Sequence, residues 1–318
     1  MEYVRLGLTD LQISRVGFGC AAIGGHDYGK VNDQDSIAAV HKALDLGVNL
    51  FDTADVYGLG HAEELLGQAL GSRRHDVIVA TKFGIEWDEQ GNTKRNLSAR
   101  RVLEALDESL RRLRLDCITL YQIHWYDGRT PIAETMEALN KCQESGKIRF
   151  IGCCNFSLSL TEEAQKYGRL ESLQLPYSLA ERGSEPVIDE GHRNYKMATL
   201  CYNPLAQGLF TGKYGRDTKF HGTDLRSRSS LFQGDSLASN LALVEKLKKV
   251  ASLNGRTPAQ VAIRWLLENE YVTSAIVGIK TPFQIEENAG AVGWNLSRYD
   301  REFLSAANLP ATGPDSTT

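Results

Sequence analysis

The sequence has no long hydrophobic run and no excess of basic residues. Its apolar stretches are much shorter than a membrane-spanning helix, and the opening segment 1–5 lacks the apolar core of a signal peptide. With 36 Lys and Arg against 40 Asp and Glu, the net charge of −4 provides no electrostatic attraction for nucleic acid or an anionic membrane. These absences predict a cytoplasmic protein with neither nucleic acid nor membrane as a partner.

The sequence also lacks the spacings that mark metal sites and serine hydrolases. Its six cysteines show no paired metal-ligand spacing, and its seven histidines include no His-Glu-x-x-His motif. No Gly-x-Ser-x-Gly motif is present either. We therefore expect no metal site and buried free thiols in a reducing compartment. The adjacent Cys153 and Cys154 leave a redox-active pair as the alternative.

Short β-branched runs alternate with amphipathic helical patterns along nearly the whole chain, after a short hairpin at residues 3–15. The candidate strands lie near residues 16–20, 49–54, 77–83, 118–124, 149–155, 171–176, 198–203 and 274–279. Eight strands with helices between them predict a (β/α)8 TIM barrel. A doubly wound sheet is the alternative, but the unbroken repetition of eight units favours closure.

One segment breaks this alternation after the seventh strand. Residues 204–236 are rich in Gly, Ser and Arg and show little periodicity. Loops of this length inside compact domains are usually functional or disordered, so we expect a mobile flap over a ligand. Two helical patterns follow before the eighth strand, and we expect one domain over residues 1–309 with a flexible tail at 310–318.

Three reactive side chains follow apolar runs, each at the carboxyl end. Asp52 ends one such run, Lys82 ends the next and His124 ends the third, while Tyr57 lies in the loop after the first. Each residue alone has an ordinary structural explanation, such as a capped turn or a surface lysine. The repetition favours one site at the carboxyl face of a parallel barrel, and hence an enzyme.

These four side chains together suit proton transfer to a carbonyl oxygen. A tyrosine hydroxyl titrates near pH ~10, and a neighbouring ammonium lowers the pKa towards the range useful in catalysis. A carboxylate would orient the lysine, and the histidine can donate a hydrogen bond to a substrate oxygen. The hydride that such a reaction needs must come from a nicotinamide, because no side chain can supply one.

The same residues carry a resemblance to a known family. The segment Phe51–Gly58, followed by Glu63–Gly67, resembles the signature of the aldo-keto reductase superfamily. Further blocks of that family are similar to segments Ala80–Lys82, Tyr121–Trp125 and Gly146–Gly152, and the resemblance runs from about residue 3 to 308. Gly24-Gly25-His26 and Thr223–Arg226 look most like the bacterial branch with the inositol-operon and general-stress reductases.

The resemblance implies a catalytic tetrad of Asp52, Tyr57 as proton donor, Lys82 and His124. It also implies a set of cofactor-binding residues: Cys154, Asn155, Gln174, Tyr202, Leu205, Gln207, Gly208, Lys213, Arg226, Gly278, Lys280, Thr281, Gln284, Glu287 and Asn288. Asn155 and Gln174 are expected at the ends of strands five and six, holding the nicotinamide carboxamide, and Tyr202 is expected to stack on the ring. The substrate pocket is expected to be formed by Cys20, Trp87, Trp125, Tyr126 and the loop around Phe232.

Two positions depart from the family pattern. Cys154 stands where the family usually has serine, and cysteine is a weaker hydrogen-bonding partner. Gln284 stands where many relatives carry an arginine that pairs with the 2′-phosphate, while Lys280 still supplies positive charge there. NADP(H) is therefore favoured over NAD(H).

The resemblance implies an oxidoreductase that transfers a hydride between NADP(H) and an aldehyde, a ketone, or a sugar or cyclitol. Two alternatives remain open. One is a redox-neutral sugar epimerase that keeps NADP tightly bound. The other is an NADP-binding sensor module resembling the potassium-channel β subunits, in which slow chemistry reports on the cofactor.

Overall fold

The computed structural model describes residues 1–25, 29 and 31–306, and its centre is a closed barrel of eight parallel strands. An N-terminal hairpin is formed by β1 (Tyr3–Arg5) and β2 (Gln12–Ser14). The barrel strands are β3 (Val16–Gly19), β4 (Leu50–Asp52), β5 (Ile78–Phe83), β8 (Ile118–Ile123), β9 (Ile148–Cys154), β10 (Ser172–Pro176), β11 (Ala198–Tyr202) and β12 (Ser274–Gly278). A second hairpin, of β6 (Ile85–Trp87) and β7 (Thr93–Arg95), follows β5.

The strands pair in chain order around the barrel, and β12 pairs with β3 to close it. This closure confirms the predicted TIM barrel and excludes the doubly wound sheet, because an open sheet leaves its edge strands unpaired. All eight predicted barrel strands are present. The β6–β7 hairpin was not predicted, because residues 85–95 are polar and show no strand-like alternation.

The helices lie between the strands and after the last one. They are α1 (Asp33–Asp45), α2 (His61–Leu70), α3 (Ala99–Leu113), α4 (Ile132–Glu144), α5 (Leu158–Gln165), α6 (Glu185–Tyr195), α7 (Gly234–Asn254), α8 (Pro258–Leu267), α9 (Pro282–Ala289) and α10 (Arg298–Ser305). As predicted, helices separate the barrel strands, and two of them, α7 and α8, precede the last strand; α9 and α10 were not predicted. In the described part of the chain no helix is long and apolar enough to cross a membrane.

Helix α3 shows how local sequence determines these elements. Its N-cap, Ser98, accepts a hydrogen bond from the backbone N–H of Arg101, an interaction worth about 1 kcal/mol. Val102, Leu106 and Leu113 form a buried stripe on the face that packs against the barrel. The capped start and the apolar stripe together fix both the position and the orientation of the helix.

The N-terminal hairpin packs on the amino end of the barrel. Leu6 and Ile13 belong to the same buried cluster as the inward-facing Leu50, Leu120 and other strand residues. The hairpin therefore closes this end with apolar side chains, and the polar strand-end residues lie at the opposite end.

The long segment after β11 contains only short 3-10 turns among its described residues, at Leu209–Thr211, Leu225–Ser227 and Ser230–Phe232. Tyr214, Phe220 and Phe232 pack edge to face, with ring centroids 4.8 to 5.6 Å apart. The predicted loop is thus present, with a small aromatic cluster of its own. Its mobility stays a prediction. His26 and the predicted tail at 310–318 lie outside the described residues.

Candidate active site

A cavity of about 570 Å³ lies at the carboxyl end of the barrel. Asp52, Tyr57 and His124 line one end of it, and Lys280 and Gln284 line the other. The loop after β11 forms a side of the cavity between these ends. The cavity is therefore long enough to bring polar side chains from distant parts of the chain along a single ligand.

Asp52, Lys82 and Tyr57 are joined through the lysine ammonium group. Lys82 Nζ donates to Asp52 Oδ2 at 2.7 Å and to the backbone oxygen of Thr53 at 2.8 Å. The same nitrogen lies 3.4 Å from the hydroxyl oxygen of Tyr57. Lys82 is fully buried, whereas Tyr57 lines the cavity. The arrangement presents the tyrosine hydroxyl to a ligand, with a fixed positive charge behind it.

The pKa of Tyr57 differs from the sequence-based expectation. Burial raises the pKa of Tyr57 above its usual range, and the opposing effect of the Lys82 ammonium is smaller. The prediction of a net lowered pKa was wrong for the protein without ligand, because the depth of the hydroxyl could not be read from spacing. The phenol is thus protonated at neutral pH and ready to donate.

The pKa of Lys82 is raised. Burial, the largest single effect, would lower the pKa of Lys82, but the charge and hydrogen bond of Asp52, together with Tyr57 and Cys154, outweigh it. The lysine is therefore an ammonium ion at neutral pH. A permanent charge 3.4 Å from the tyrosine oxygen can stabilise the phenolate left after proton donation.

His124 faces Tyr57 edge to face, with ring centroids 5.8 Å apart and an interplanar angle of 84°. Burial lowers the pKa of His124 well below its usual range, and the positive charges of Lys82 and Arg95 add to this effect. The imidazole is therefore neutral. Its buried Nδ1 has no hydrogen-bond partner among the described residues. A neutral ring carries one N–H donor, which suits a hydrogen bond to a carbonyl oxygen.

Two glutamine amides hold the other oxygen of Asp52. Gln174 Nε2 donates to Asp52 Oδ1 at 2.7 Å, and Gln122 Nε2 lies 3.4 Å from the same oxygen. The sequence predicted Gln174 at the end of the sixth barrel strand, but the residue lies in the middle of β10. Gln122 was missed, because a polar residue within the largely apolar run 118–123 gives no signal of its inward direction.

Asn155 and Tyr202 form a second pair beside the tetrad. Tyr202 Oη donates to Asn155 Oδ1 at 2.9 Å, and Asn155 Nδ2 donates to the backbone oxygen of His124 at 3.2 Å. Asn155 directly follows β9 and has a left-handed backbone, with φ of 58°. Asparagine tolerates this conformation better than most residues do. The turn places the amide over the cavity next to His124.

The two cysteines predicted for the site lie behind the cavity wall. Cys20 and Cys154 are fully buried, and Gly19, Ala21 and Ala22 form the wall near Cys20. The placement of Cys20 in the substrate pocket was therefore wrong, because its side chain is turned into the core. Burial raises the pKa of Cys154, so its thiol is neutral beside Lys82.

The far end of the cavity carries positive charge. Lys213, Arg226 and Lys280 line it, and burial followed by repulsion from Arg226 lowers the pKa of Lys280. The other predicted cofactor residues on this wall are Leu205, Gln207, Gly208, Gly278, Gln284, Glu287 and Asn288. Thr281 caps α9 through its hydroxyl instead of facing the cavity.

The predicted substrate residues are only partly brought together. Trp125 lines the cavity next to His124. Trp87 lies on β6 below the guanidinium of Arg101, whose carbon is 5.8 Å from the ring centroid, and neither Trp87 nor Tyr126 belongs to the cavity wall. Phe232 packs into the aromatic cluster of the long loop. Among the described residues, no group of three or more His, Cys, Asp or Glu side chains is suited to hold a metal ion.

Comparison with known proteins agrees with this geometry. Residues 15–308 match the family described as "Aldo/keto reductase family". Aldo-keto reductase YhdN of Bacillus subtilis (strain 168) is 36% identical, over 96% of this chain and 93% of its own. Aldo-keto reductase yakc (NADP(+)) of Schizosaccharomyces pombe (strain 972 / ATCC 24843) is 35% identical, over 90% and 85% of the two chains.

Two further proteins widen the comparison. The NADH-specific methylglyoxal reductase of Escherichia coli (strain K12) is 34% identical, over 96% of this chain and 97% of its own. The solved structure of the glycerol dehydrogenase AKR11B4 from Gluconobacter oxydans has a TM-score of 0.90 and 36% identity, covering 99% of this chain and 98% of that chain. The chain therefore belongs to the aldo/keto reductase family, whose members are oxidoreductases that act on carbonyl substrates with nicotinamide cofactors.

Proposed function

We propose that this protein reduces aldehydes or ketones with NADPH and that Tyr57 is the proton donor. The observation that carries the proposal is the position of Lys82 Nζ, 2.7 Å from Asp52 and 3.4 Å from the Tyr57 hydroxyl. It places a protonated phenol and a fixed cation at the end of a cavity whose other end carries Lys213, Arg226 and Lys280.

The residues along the cavity fit a nicotinamide dinucleotide. The buried Oε1 of Gln207 has no hydrogen-bond partner among the described residues, and so it can accept one from a ligand. Three cations at one end suit phosphate groups. Asn155 and Gln174 would hold the nicotinamide carboxamide, and Tyr202 would pack on its ring.

A nicotinamide held by these residues would supply the hydride for the carbonyl carbon. Tyr57 donates its proton to the carbonyl oxygen, so that the substrate becomes an alcohol. Lys82 stabilises the phenolate that remains, and Asp52 keeps the ammonium in place. His124 donates a hydrogen bond to the same carbonyl oxygen and orients it towards Tyr57. Solvent then returns a proton to Tyr57.

NADP(H) is proposed over NAD(H) because of the charge at the far end of the cavity. Lys280 and Arg226 lie there, and after burial Arg226 lowers the pKa of Lys280, although Arg226 is ion-paired with Asp224, which acts in the opposite direction. An additional phosphate on the cofactor would relieve this repulsion. The named relatives differ, since one carries NADP(+) in its name and another is called NADH-specific.

Steady-state turnover with a broad panel of aldehydes, ketones and keto-sugars tests this function. We expect oxidation of NADPH with at least some aldehydes, and a kcat/KM for NADPH that exceeds that for NADH by more than tenfold. Lys280→Met should narrow the difference in kcat/KM between NADPH and NADH, while Lys249→Met, at an exposed position on α7, should leave it unchanged. Turnover without cofactor release would favour the epimerase, and binding of NADPH without turnover of any compound would favour the sensor. Either result would contradict the proposed reductase.

A further inference from the structure

We propose that Arg95 binds a carboxylate on the substrate, so that the preferred carbonyl compounds carry a carboxylate a short distance from the reacting carbon. The inference rests on the proposed reductase function and names the substrate class of the same site. Arg95 ends β7, in the hairpin that was not predicted from the sequence.

The register of the hairpin places the exposed Arg95 on the same face as Trp87. Arg95 pairs with Ile85, and Thr93 pairs with Trp87. Residues that pair across strands, and those two apart along a strand, share one face of a sheet. Arg95 and Trp87 therefore lie on one face. Since the buried Arg101 contacts Trp87, this is the face that packs on the barrel.

The guanidinium of Arg95 is held at the rim of the cavity by Trp125. Its central carbon lies 4.8 Å from the centroid of the Trp125 ring, and Trp125 both lines the cavity and follows His124. Stacking on an indole fixes the plane of a guanidinium and leaves the N–H groups at its edge exposed. Of its five N–H groups, one donates to the backbone oxygen of Tyr126, at 3.4 Å.

Arg95 differs from the neighbouring cations in having no ion pair. Lys94, on the opposite face, lies 2.7 Å from Glu86, and Arg129 lies 3.7 Å from Asp127. No carboxylate within residues 1–25, 29 and 31–306 pairs with Arg95. Its charge is therefore available to a ligand, whereas those of its neighbours are already neutralised.

A carboxylate fits this position better than a phosphate does. The planar fork of a guanidinium matches the two oxygens of a carboxylate, and a single unpaired cation balances a single negative charge. A carbonyl oxygen between Tyr57 and His124 would leave the rest of the substrate against Trp125. The carboxylate would then lie at the far edge of the Trp125 ring. An aromatic or short aliphatic aldehyde that also carries a carboxylate has this arrangement.

A matched pair of substrates tests the proposal: 4-carboxybenzaldehyde and its neutral methyl ester, methyl 4-formylbenzoate. We expect the wild-type protein to favour the acid by about tenfold in kcat/KM, mainly through a lower KM, and 0.5 M salt to reduce that preference. Arg95→Met should abolish the preference by lowering kcat/KM for the acid, while NADPH binding is retained. Lys94→Met is the control, because it removes a cation from the other face of the same hairpin, and it should keep the preference.

Each of the other outcomes identifies which part of the proposal has failed. Equal rates for acid and ester in the wild-type protein, or an unchanged preference in Arg95→Met, would overturn the role of Arg95 while leaving carbonyl reduction intact. A second pair of substrates, glyceraldehyde 3-phosphate and glyceraldehyde, measures the preference for a phosphate. If that preference is much stronger than the preference for the acid over the ester, the bound group is a phosphate and the proposed substrate class is overturned. If the wild-type protein reduced neither compound in the presence of NADPH, the proposed function itself would fail.

Discussion

Asp52 and Lys82 form a buried ion pair across two adjacent strands, with Oδ2 2.7 Å from Nζ. Asp52 ends β4 and Lys82 lies one residue before the end of β5. Gln174 donates a hydrogen bond to the other carboxylate oxygen of Asp52. The backbone oxygen of Thr53 accepts a second hydrogen bond from the Lys82 ammonium. Because a buried charge is costly unless it is paired, each residue compensates the charge of the other.

Lys82→Met should destabilise the protein and slow catalysis. Removing the ammonium leaves Asp52 buried without its counter-charge, which we expect to cost about 3–5 kcal/mol in the free energy of unfolding. The double variant Asp52→Asn with Lys82→Met leaves no unpaired charge, so its stability should recover by more than half while its activity stays low. Urea unfolding of both variants measures this. Equal instability of the single and double variants would contradict the pairing.

Asp55 should make stability depend on pH. Burial raises the pKa of Asp55 to about 7, although its partner Arg101 lies 2.9 Å away and opposes the shift. A carboxyl with a raised pKa contributes stability that is fully present below its unfolded pKa of ~3.9 and is lost as pH rises through the folded value. The free energy of unfolding should therefore fall between pH 4 and 7 by as much as about 1.4 kcal/mol per unit from this group.

Asp55→Asn tests that dependence against the same protein. The variant cannot ionise at this position, so its unfolding free energy should fall less between pH 4.5 and 7 than that of the wild-type. Urea denaturation at several pH values provides the comparison. Identical slopes for the two proteins would show that Asp55 keeps an ordinary pKa.

Gly58 and Gly24 pack backbone to backbone, and this contact positions the loop of Tyr57. A methyl group on Gly58 would overlap the carbonyl oxygen of Gly24, and Gly58 has a φ of 61°. Gly58→Ala should therefore lower the free energy of unfolding by at least about 2 kcal/mol and reduce kcat. Gly25→Ala is the matched control. Gly25 also has a positive φ, of 79°, but no atom of the described residues lies within 4 Å of the added methyl group. Thermal unfolding should show a clearly smaller loss for this variant, and equal losses would refute the role of close packing.

The ion pair of Glu63 and Arg112 holds α2 against α3. Glu63 is fully buried, accepts from Arg112 Nε at 2.7 Å and accepts from the Thr81 hydroxyl at 2.6 Å. Arg112→Met should cost about 3–5 kcal/mol, because it leaves a buried carboxylate unpaired. Arg298→Met, in the exposed pair with Glu302, should change stability by less than about 0.5 kcal/mol. Comparable effects of the two substitutions in chemical denaturation would argue against burial as the cause.

Much of this fold could be predicted from the sequence because barrel strands and helices have different periodicities. The strand-end positions of Asp52 and His124 followed from that alternation. The pKa of Tyr57 could not be predicted, since it depends on how deeply the hydroxyl is buried. Arg95 was missed for a related reason. Its importance comes from the register of a polar hairpin and from contact with Trp125, neither of which leaves a pattern in the chain.

Tyr57→Phe tests the central claim most directly, because it removes one hydroxyl and almost no volume. NADPH binding, followed by fluorescence titration, should be unchanged within about twofold, and the folded state should be retained. Hydride transfer to an aldehyde in a single turnover, measured by stopped-flow absorbance, should slow by at least about 100-fold. Wild-type rates of hydride transfer in this variant would contradict the assignment of Tyr57 as the proton donor.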